Sequence, residues 1–594
     1  MTRQPSRYTE QSGHLRVNYS KIGNPIIPLR QAPKSRVLYF LLSEALATEA
    51  WRRTKLQTAL IALPEIFNAA SYFVDRNVDE GRASKTAIEC GDQRVTYGQL
   101  AGRVNQAGNM LRRLGVNREE RVLILLPDCP EFLYCFFGAI KIGCVAVPTN
   151  TLLKSNDYEY IFNDTRATVA VVSEELLPQL QAIPRGRLRY LLETVVAGRK
   201  DEYARGLHKL MDAAPTKLEP EPASKHDAAF WLYSSGSTGF PKACIHLQHD
   251  MVVCSELFAK ATIGMCESDR CYSVARLFFA YGLGNAGYFP LACGATTILS
   301  PARPTPASIY ADISRHRPTL FFSVPTNYAA LLAEAPADGR DFDLSSVRHA
   351  ISAGEALPAS LFERFKTRFG IEILDGLGST ETLQTVISNR PGDVRPGSTG
   401  KVVHGYEARI VDEDGRPVPP GEIGNLLIKG DSICAGYWNQ HEKSKDAFEG
   451  HWFHTGDKFY QDEDGYFWYA GRSDDLFKVN GRWLSPNEVE SALISHPAVQ
   501  EAAVIARADG NGLIKPAAFV VANPATRTNG DLARELEEWV ASKIGGYKRP
   551  RWVEFLSEIP KTATGKLQRF KLRELQTQLR NNGGRATSDA SAKR

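Results

Sequence analysis

Apolar and polar positions along the chain alternate between two periods. After Thr96, which with Gln99 has the spacing of a capping box, Leu100, Val104, Ala107, Leu111 and Leu114 recur at helical intervals, and Gly115 stops the run. Residues 121–127 (RVLILLP) form the short apolar run of a buried strand. Residues 131–143 (EFLYCFFGAIKIG) read as a helix and residues 144–150 (CVAVPTN) as a second strand. This alternation continues to about residue 410 and predicts an α/β sheet. Glycine-bounded short strands follow, such as residues 425–430 and 465–471.

Near residue 472 the pattern changes. Residues 485–488 (SPNE) have the form of a second capping box with proline at the first helical position. A helix (488–496), two strands (498–506 and 515–522) and another helix (531–545) then make an α+β unit of common domain size. The expected organisation is an extension over 1–61, a large domain over 62–473, a small domain over 474–575 and a disordered tail over 576–594. The extension has seven Arg or Lys and one acid, Glu10, up to Ser43, with Pro5, Pro25, Pro28 and Pro33. Those prolines argue against a transit peptide, so it reads as poorly ordered or as lying upstream of the natural start.

Composition narrows the picture modestly. The 594 residues are too many for one core. A net charge of +5, from 72 basic and 67 acidic residues, does not mark a nucleic-acid binder. No apolar run approaches a membrane span. Ten cysteines without a C-x-x-C pair read as buried free thiols of a cytoplasmic protein.

The strongest chemical signal is residues 233–242 (YSSGSTGFPK). Gly236 and Gly239 let backbone N–H groups converge on an anion. Ser234, Ser235, Ser237 and Thr238 add hydroxyls, and Lys242 adds a point charge suited to phosphate. Apolar runs on both sides predict a hairpin tip. No Ser or Thr follows Lys242, so this is not a Walker loop, and an ATPase releasing ADP is disfavoured.

This loop resembles the phosphate-binding signature of the adenylate-forming superfamily, which includes acyl-CoA synthetases, peptide-synthetase adenylation domains and firefly luciferases. The resemblance extends over about residues 62–575. It implies an α/β protein, with a large multi-sheet N-terminal adenylate-forming domain and a small mobile α+β C-terminal domain. Residues 352–358 (SAGEALP) resemble the adenine-contacting turn, through Gly354, Glu355 and Ala356. Residues 375–381 (DGLGSTE) resemble the segment beneath the nucleotide: Asp375, Gly376, Leu377 against adenine, Thr380 at the α-phosphate and Glu381 as the Mg²⁺ ligand. Asp457 in HTGD would hold the ribose, and Arg472 would lie near ribose and phosphate. Asp474 falls at the family's hinge. Lys566, in PKTATGK, would stabilise the α-phosphate as the acid attacks. Gly481 and Lys478 would line the path of the CoA arm once the small domain has turned.

Residues 277–285 (LFFAYGLGN) are similar to the benzoate–CoA ligase branch. Phe279, Ala280, Tyr281 and Gly378 would line the acyl pocket. Benzoate ligases commonly read MLHI after the Thr-Glu pair, where this chain has Thr382, Leu383, Gln384 and Thr385. Gln384 and Thr385 are therefore expected to make the pocket more polar and to suit a hydroxy- or aminobenzoate. The implied activity is AMP-forming ligation of a small aromatic carboxylic acid to coenzyme A, with ATP and Mg²⁺. Another acid, or a carrier-protein thiol as acceptor, remains the alternative. Partners are then the acid, ATP and CoA, without nucleic acid or membrane, and a homodimer is left open. His246 and His249 are expected to be structural, because no third metal ligand is near. The two DEDG stretches, at Asp412 and Asp462, read as turns.

Overall fold

The structure is a computed structural model that describes residues 61–198, 203–234, 240–335, 341–473, 475–479, 482–509, 512–523, 526–561 and 567–577. Ile61–Arg594 form one compact unit, and Ile61 already packs on the core.

Among the described residues the strands build five sheets. A six-stranded sheet runs Glu193–Ala197, Val169–Ser173, Arg121–Leu125, Val145–Pro148, Ala228–Ser234, Lys242–Leu247. It is parallel until its last pair, which is an antiparallel hairpin. A nine-stranded sheet carries a parallel centre of six strands: Thr86–Cys90, Thr296–Leu299, Arg270–Ser273, Leu320–Ser323, His349–Ala353 and Ile373–Gly378. Its remaining strands at either edge are antiparallel. Val145–Pro148 and Leu320–Ser323 are buried at every position, as parallel strands covered on both faces must be.

The helices Tyr97–Arg113 and Pro130–Lys141 cross closely in the core. A β-carbon on Gly138 would lie 2.9 Å from the Gly108 nitrogen and 3.0 Å from the Val104 carbonyl, so this crossing requires glycine. The Thr96–Gln99 capping box forms with both reciprocal bonds.

The C-terminal part has its own core. Strands Val499–Ala508, Ile514–Ala522 and Trp552–Phe555 pack against helices Pro486–Ile494 and Gly530–Ile544. Two expectations are corrected here. Ser485 Oγ accepts the Glu488 N–H, but the reciprocal half of that box is missing because Lys548 takes the Glu488 carboxylate. The tail does not begin at 576: helix 569–577 continues, with Leu572 and Gln576 buried and Leu575 against the same apolar cluster. Apolar spacing on that helix outlasts the polar composition around it.

Both DEDG stretches are turns. Asp412 Oδ1 accepts N–H bonds from Asp414 and Arg416, and Asp462 Oδ1 accepts them from Asp464 and Tyr466. Seven of the ten cysteines are buried, and all ten are unpaired. Among the described residues no helix is long and apolar enough to cross a membrane.

Candidate active site

Ala228–Ser234 and Lys242–Leu247 form an antiparallel hairpin in which Ser234 and Lys242 are register partners. Ser235, Gly236, Ser237, Thr238 and Gly239 lie outside the described residues. At the hairpin end, Ser234 Oγ donates to Glu381 Oε1 at 3.4 Å. Tyr437 Oη donates to the same oxygen at 2.9 Å, and Lys242 Nζ sits 4.1 Å from the Tyr437 ring centroid. Hairpin, Thr380–Glu381 turn and residues 434–438 thus meet at one buried carboxylate.

Sequence reasoning missed Tyr437. Its signal was an aromatic pair, Tyr437–Trp438, between Gly436 and Asn439. That segment pairs with the hairpin strand: Ile245 N–H donates to Gly436 O at 3.0 Å and Trp438 N–H to Ala243 O at 2.9 Å. Burial, then the Glu381 charge, push the Tyr437 phenol far above its ordinary range, so it remains a donor.

The motifs at residues 352–358 and 375–381 lie at the carboxyl ends of neighbouring parallel strands, where such sheets bind ligands. Ser352 pairs with Asp375 and Ala353 with Gly376, bringing the turn of Gly354, Glu355 and Ala356 beside Gly376 and Leu377. Gly354 has φ +91°, a conformation that favours glycine. Leu377 is half-buried. Burial pushes the Asp375 carboxyl well up, against the polar groups of Ser352, Leu357 and Gly376 beside it.

Asp457 and Arg472 are cross-strand partners, with Arg472 Nη1 donating to Asp457 Oδ1 at 3.1 Å. One carboxylate and one guanidinium therefore share a single face. Lys478 is exposed on Phe477–Val479. Asp474, Gly481 and Lys566 lie outside the described residues.

Phe279 caps a short helical turn that continues into a π-helix, Leu283–Tyr288, a widened form common at functional sites. Ala280 is buried, and Tyr281 Oη donates to Ser323 O at 3.3 Å and Ile351 O at 3.2 Å, tying the segment to two strand ends. Upstream, Asp128 Oδ1 accepts the Leu277 N–H at 3.1 Å with Arg276 3.6 Å from Oδ2. Burial raises the Asp128 carboxyl to about 6, with Arg276 opposing.

Gln384 and Thr385 have partners within the protein. Gln384 Nε2 donates to Tyr281 O at 3.0 Å, and has longer contacts with Ala280 O and Asn285 Oδ1. Gln384 Oε1 accepts from Thr385 N–H at 3.0 Å and from Thr385 Oγ1 at 3.2 Å. The two residues bond each other and the aromatic segment. A β-carbon on Gly284 would meet Gln384 Nε2 at 2.2 Å, and one on Gly378 would meet Gln384 O at 2.7 Å. Both glycines make room for this brace.

His246 and His249 bind protein atoms. His246 Nδ1 is 2.8 Å from Asp250 Oδ2 and Nε2 is 2.8 Å from Thr380 O. His249 reaches the carbonyls of Lys225 and Asp431.

A nucleotide-type site at the strand ends, with a separate C-terminal α+β module, defines an AMP-binding enzyme of the adenylate-forming fold. The AMP-binding enzyme family matches residues 74–438, and the AMP-binding enzyme C-terminal domain matches residues 488–566. The chain is 47% identical over 517 residues to the benzoate–CoA ligase of Thauera aromatica, covering 86% of this chain and 97% of that protein. It is 43% identical to the 4-hydroxybenzoate–CoA/benzoate–CoA ligase of Rhodopseudomonas palustris, covering 86% and 94%. The anthranilate CoA ligase AuaEII, solved in complex with anthranoyl-AMP, superposes with a TM-score of 0.83 at 45% identity, covering 87% of this chain and 99% of that one. The chain belongs to the benzoate–CoA ligase family of AMP-binding enzymes.

Proposed function

We propose that this protein couples a benzoate-type aromatic acid to coenzyme A through an acyl-adenylate. The observation that carries this reading is the convergence of Ser234 and Tyr437 on Glu381, with Lys242 over the Tyr437 ring, at the end of the glycine-rich hairpin. In the first half-reaction a carboxylate oxygen of the acid attacks the α-phosphorus of ATP and pyrophosphate leaves. Thr380 and the hairpin donors face the phosphates, while Asp457 and Arg472 hold the ribose. Lys566 is assigned to the charge that builds on the α-phosphate. In the second half-reaction the CoA sulfur attacks the acyl carbon and AMP leaves. Asp474 is the hinge of the intervening domain rotation, and Gly481 and Lys478 border the thiol's approach.

Mg²⁺ fits the donor set. Among the described residues no group of three or more His, Cys, Asp or Glu is gathered for a metal, which suits an ion that takes one or two carboxylates plus phosphate oxygens and water. Glu381 is the carboxylate assigned to it, with Tyr437 orienting Oε1. Mg²⁺ would neutralise phosphate charge.

The acid is assigned as benzoate or a small monosubstituted benzoate. Ala280 leaves room beside Phe279 and Tyr281 for a flat ring. A cytoplasmic location is proposed from the ten unpaired thiols, a state that a reducing compartment maintains.

Incubation with ATP, Mg²⁺, CoA and single acids tests the reading. AMP and a CoA thioester should appear together with benzoate or a monosubstituted benzoate. Adenylate without thioester would point to a different thiol acceptor. ADP formation, or turnover confined to fatty acids, would overturn the reading.

A further inference from the structure

The turn that carries Thr380 and Glu381 is closed by reciprocal bonds between Ser379 and Thr382 and is also held from outside. Three successive main-chain carbonyls are each bonded by a donor on another segment. His246 Nε2 lies 2.8 Å from Thr380 O, Cys434 N–H 2.8 Å from Glu381 O, and Ser432 Oγ 2.9 Å from Thr382 O. The turn is also strained. Leu383 has φ +65° and is fully buried, a left-handed conformation unfavourable to a residue with a branched side chain. Such backbone persists only where its surroundings over-determine it, and it clusters at functional sites.

His246 is the side chain among these donors that is itself oriented by a buried acid. A carbonyl oxygen can only accept, so Nε2 carries a proton and donates. Nδ1 is 2.8 Å from Asp250 Oδ2, which also accepts the Leu247 N–H at 3.1 Å. His246 and Asp250 are both fully buried, and the imidazole stacks on Phe230 at 5.1 Å with an interplanar angle of 18°. The ring has one orientation compatible with all three contacts.

We propose that His246, oriented by Asp250, is a positioning residue for acyl-adenylate formation. Its N–H fixes the Thr380 carbonyl and so sets the direction in which the Thr380 hydroxyl and the Glu381 carboxylate face the nucleotide. This inference rests on the assignment of Thr380 and Glu381 to the nucleotide site.

The test compares His246→Leu with His246→Gln. Leucine fills much of the volume without a donor, whereas glutamine can place an N–H near the Nε2 position. In His246→Leu the kcat of benzoate-dependent ATP–pyrophosphate exchange should fall about 10- to 100-fold, with the KM for benzoate changed less than about 3-fold. Thioester formation from synthetic benzoyl adenylate and CoA, which bypasses that half-reaction, should fall less than about 3-fold. His246→Gln should recover most of the exchange rate. Equal loss in both half-reactions that tracks a fall in Tm, with glutamine no better than leucine, would reduce His246 to a structural role and overturn the proposal. Unchanged exchange in His246→Leu would overturn it as well. Thr380→Ala and Glu381→Gln are run alongside: if these leave exchange intact, the nucleotide-site assignment itself is wrong, whereas loss in these two with no loss in His246→Leu defeats the positioning role alone.

Discussion

Two kinds of turn in this molecule look equally polar in sequence and differ in how much of their bonding comes from distant segments. The turns at Asp412 and Asp462 are held from within: each leading aspartate accepts the N–H groups two and four residues on. The segment from Ser379 to Thr385 has its own Ser379–Thr382 bonds and adds contacts from elsewhere, from His246, Ser432, Cys434 and Tyr437. A self-capped turn keeps its shape whatever surrounds it. An externally held turn can be aimed, and this one points Thr380 and Glu381 toward the hairpin. The aromatic segment 277–285 belongs to the second kind, braced by Asp128 at its start and Gln384 along its length.

The contrast makes graded predictions. Glu381→Gln should lower benzoate-dependent ATP–pyrophosphate exchange by about 100-fold or more, as loss of a transition-state contact does. An effect below tenfold would remove Glu381 from the chemistry.

Asp128 gives a pH signature of comparable size. Burial raises its folded pKa to about 6, above the ordinary aspartate value, so the native state holds the proton more tightly than the unfolded chain. Its contribution to stability is therefore fully present below the unfolded value and lost as pH rises toward and through 6. Asp128→Asn lacks this titration. Its stability relative to the parent should improve between pH 4 and pH 7 by up to about 3 kcal/mol, read by denaturant unfolding at each pH. A pH-independent difference would contradict it.

Gln384→Leu should destabilise the protein by about 2–3 kcal/mol, because it removes a donor from the Tyr281 carbonyl and the side-chain acceptor of the Thr385 N–H. The ratio of benzoate to 4-hydroxybenzoate turnover should move little. A large selectivity change with unchanged stability would favour the polar-pocket expectation. Tyr437→Phe removes one donor from Glu381 and should slow exchange about tenfold without a comparable loss of stability. Asp412→Ala should shift stability by about 1 kcal/mol or less and leave turnover unchanged, since its bonds stay inside its own turn.

This division also explains what could be read in advance. Local periodicity and caps announced the Thr96 capping box, the helix after it, the hairpin around the glycine-rich loop and the paired C-terminal strands, because each depends on neighbours in sequence. The Glu488 half of its box was lost to Lys548, sixty residues away. Tyr437 on Glu381 and His246 on Thr380 span 56 and 134 residues. Their side chains carry no local pattern that names a partner. The partners of Gln384, Tyr281 and Thr385, were likewise not legible, because side-chain pairing carries no local pattern.

The most direct test of the account follows one atom. Benzoate labelled in both carboxylate oxygens with oxygen-18, incubated with enzyme, ATP, Mg²⁺ and CoA, should yield AMP carrying a single heavy oxygen, because the attacking carboxylate oxygen stays on phosphorus when the thiol displaces the acyl group. Unlabelled AMP, or ADP as the nucleotide product, would contradict the acyl-adenylate route.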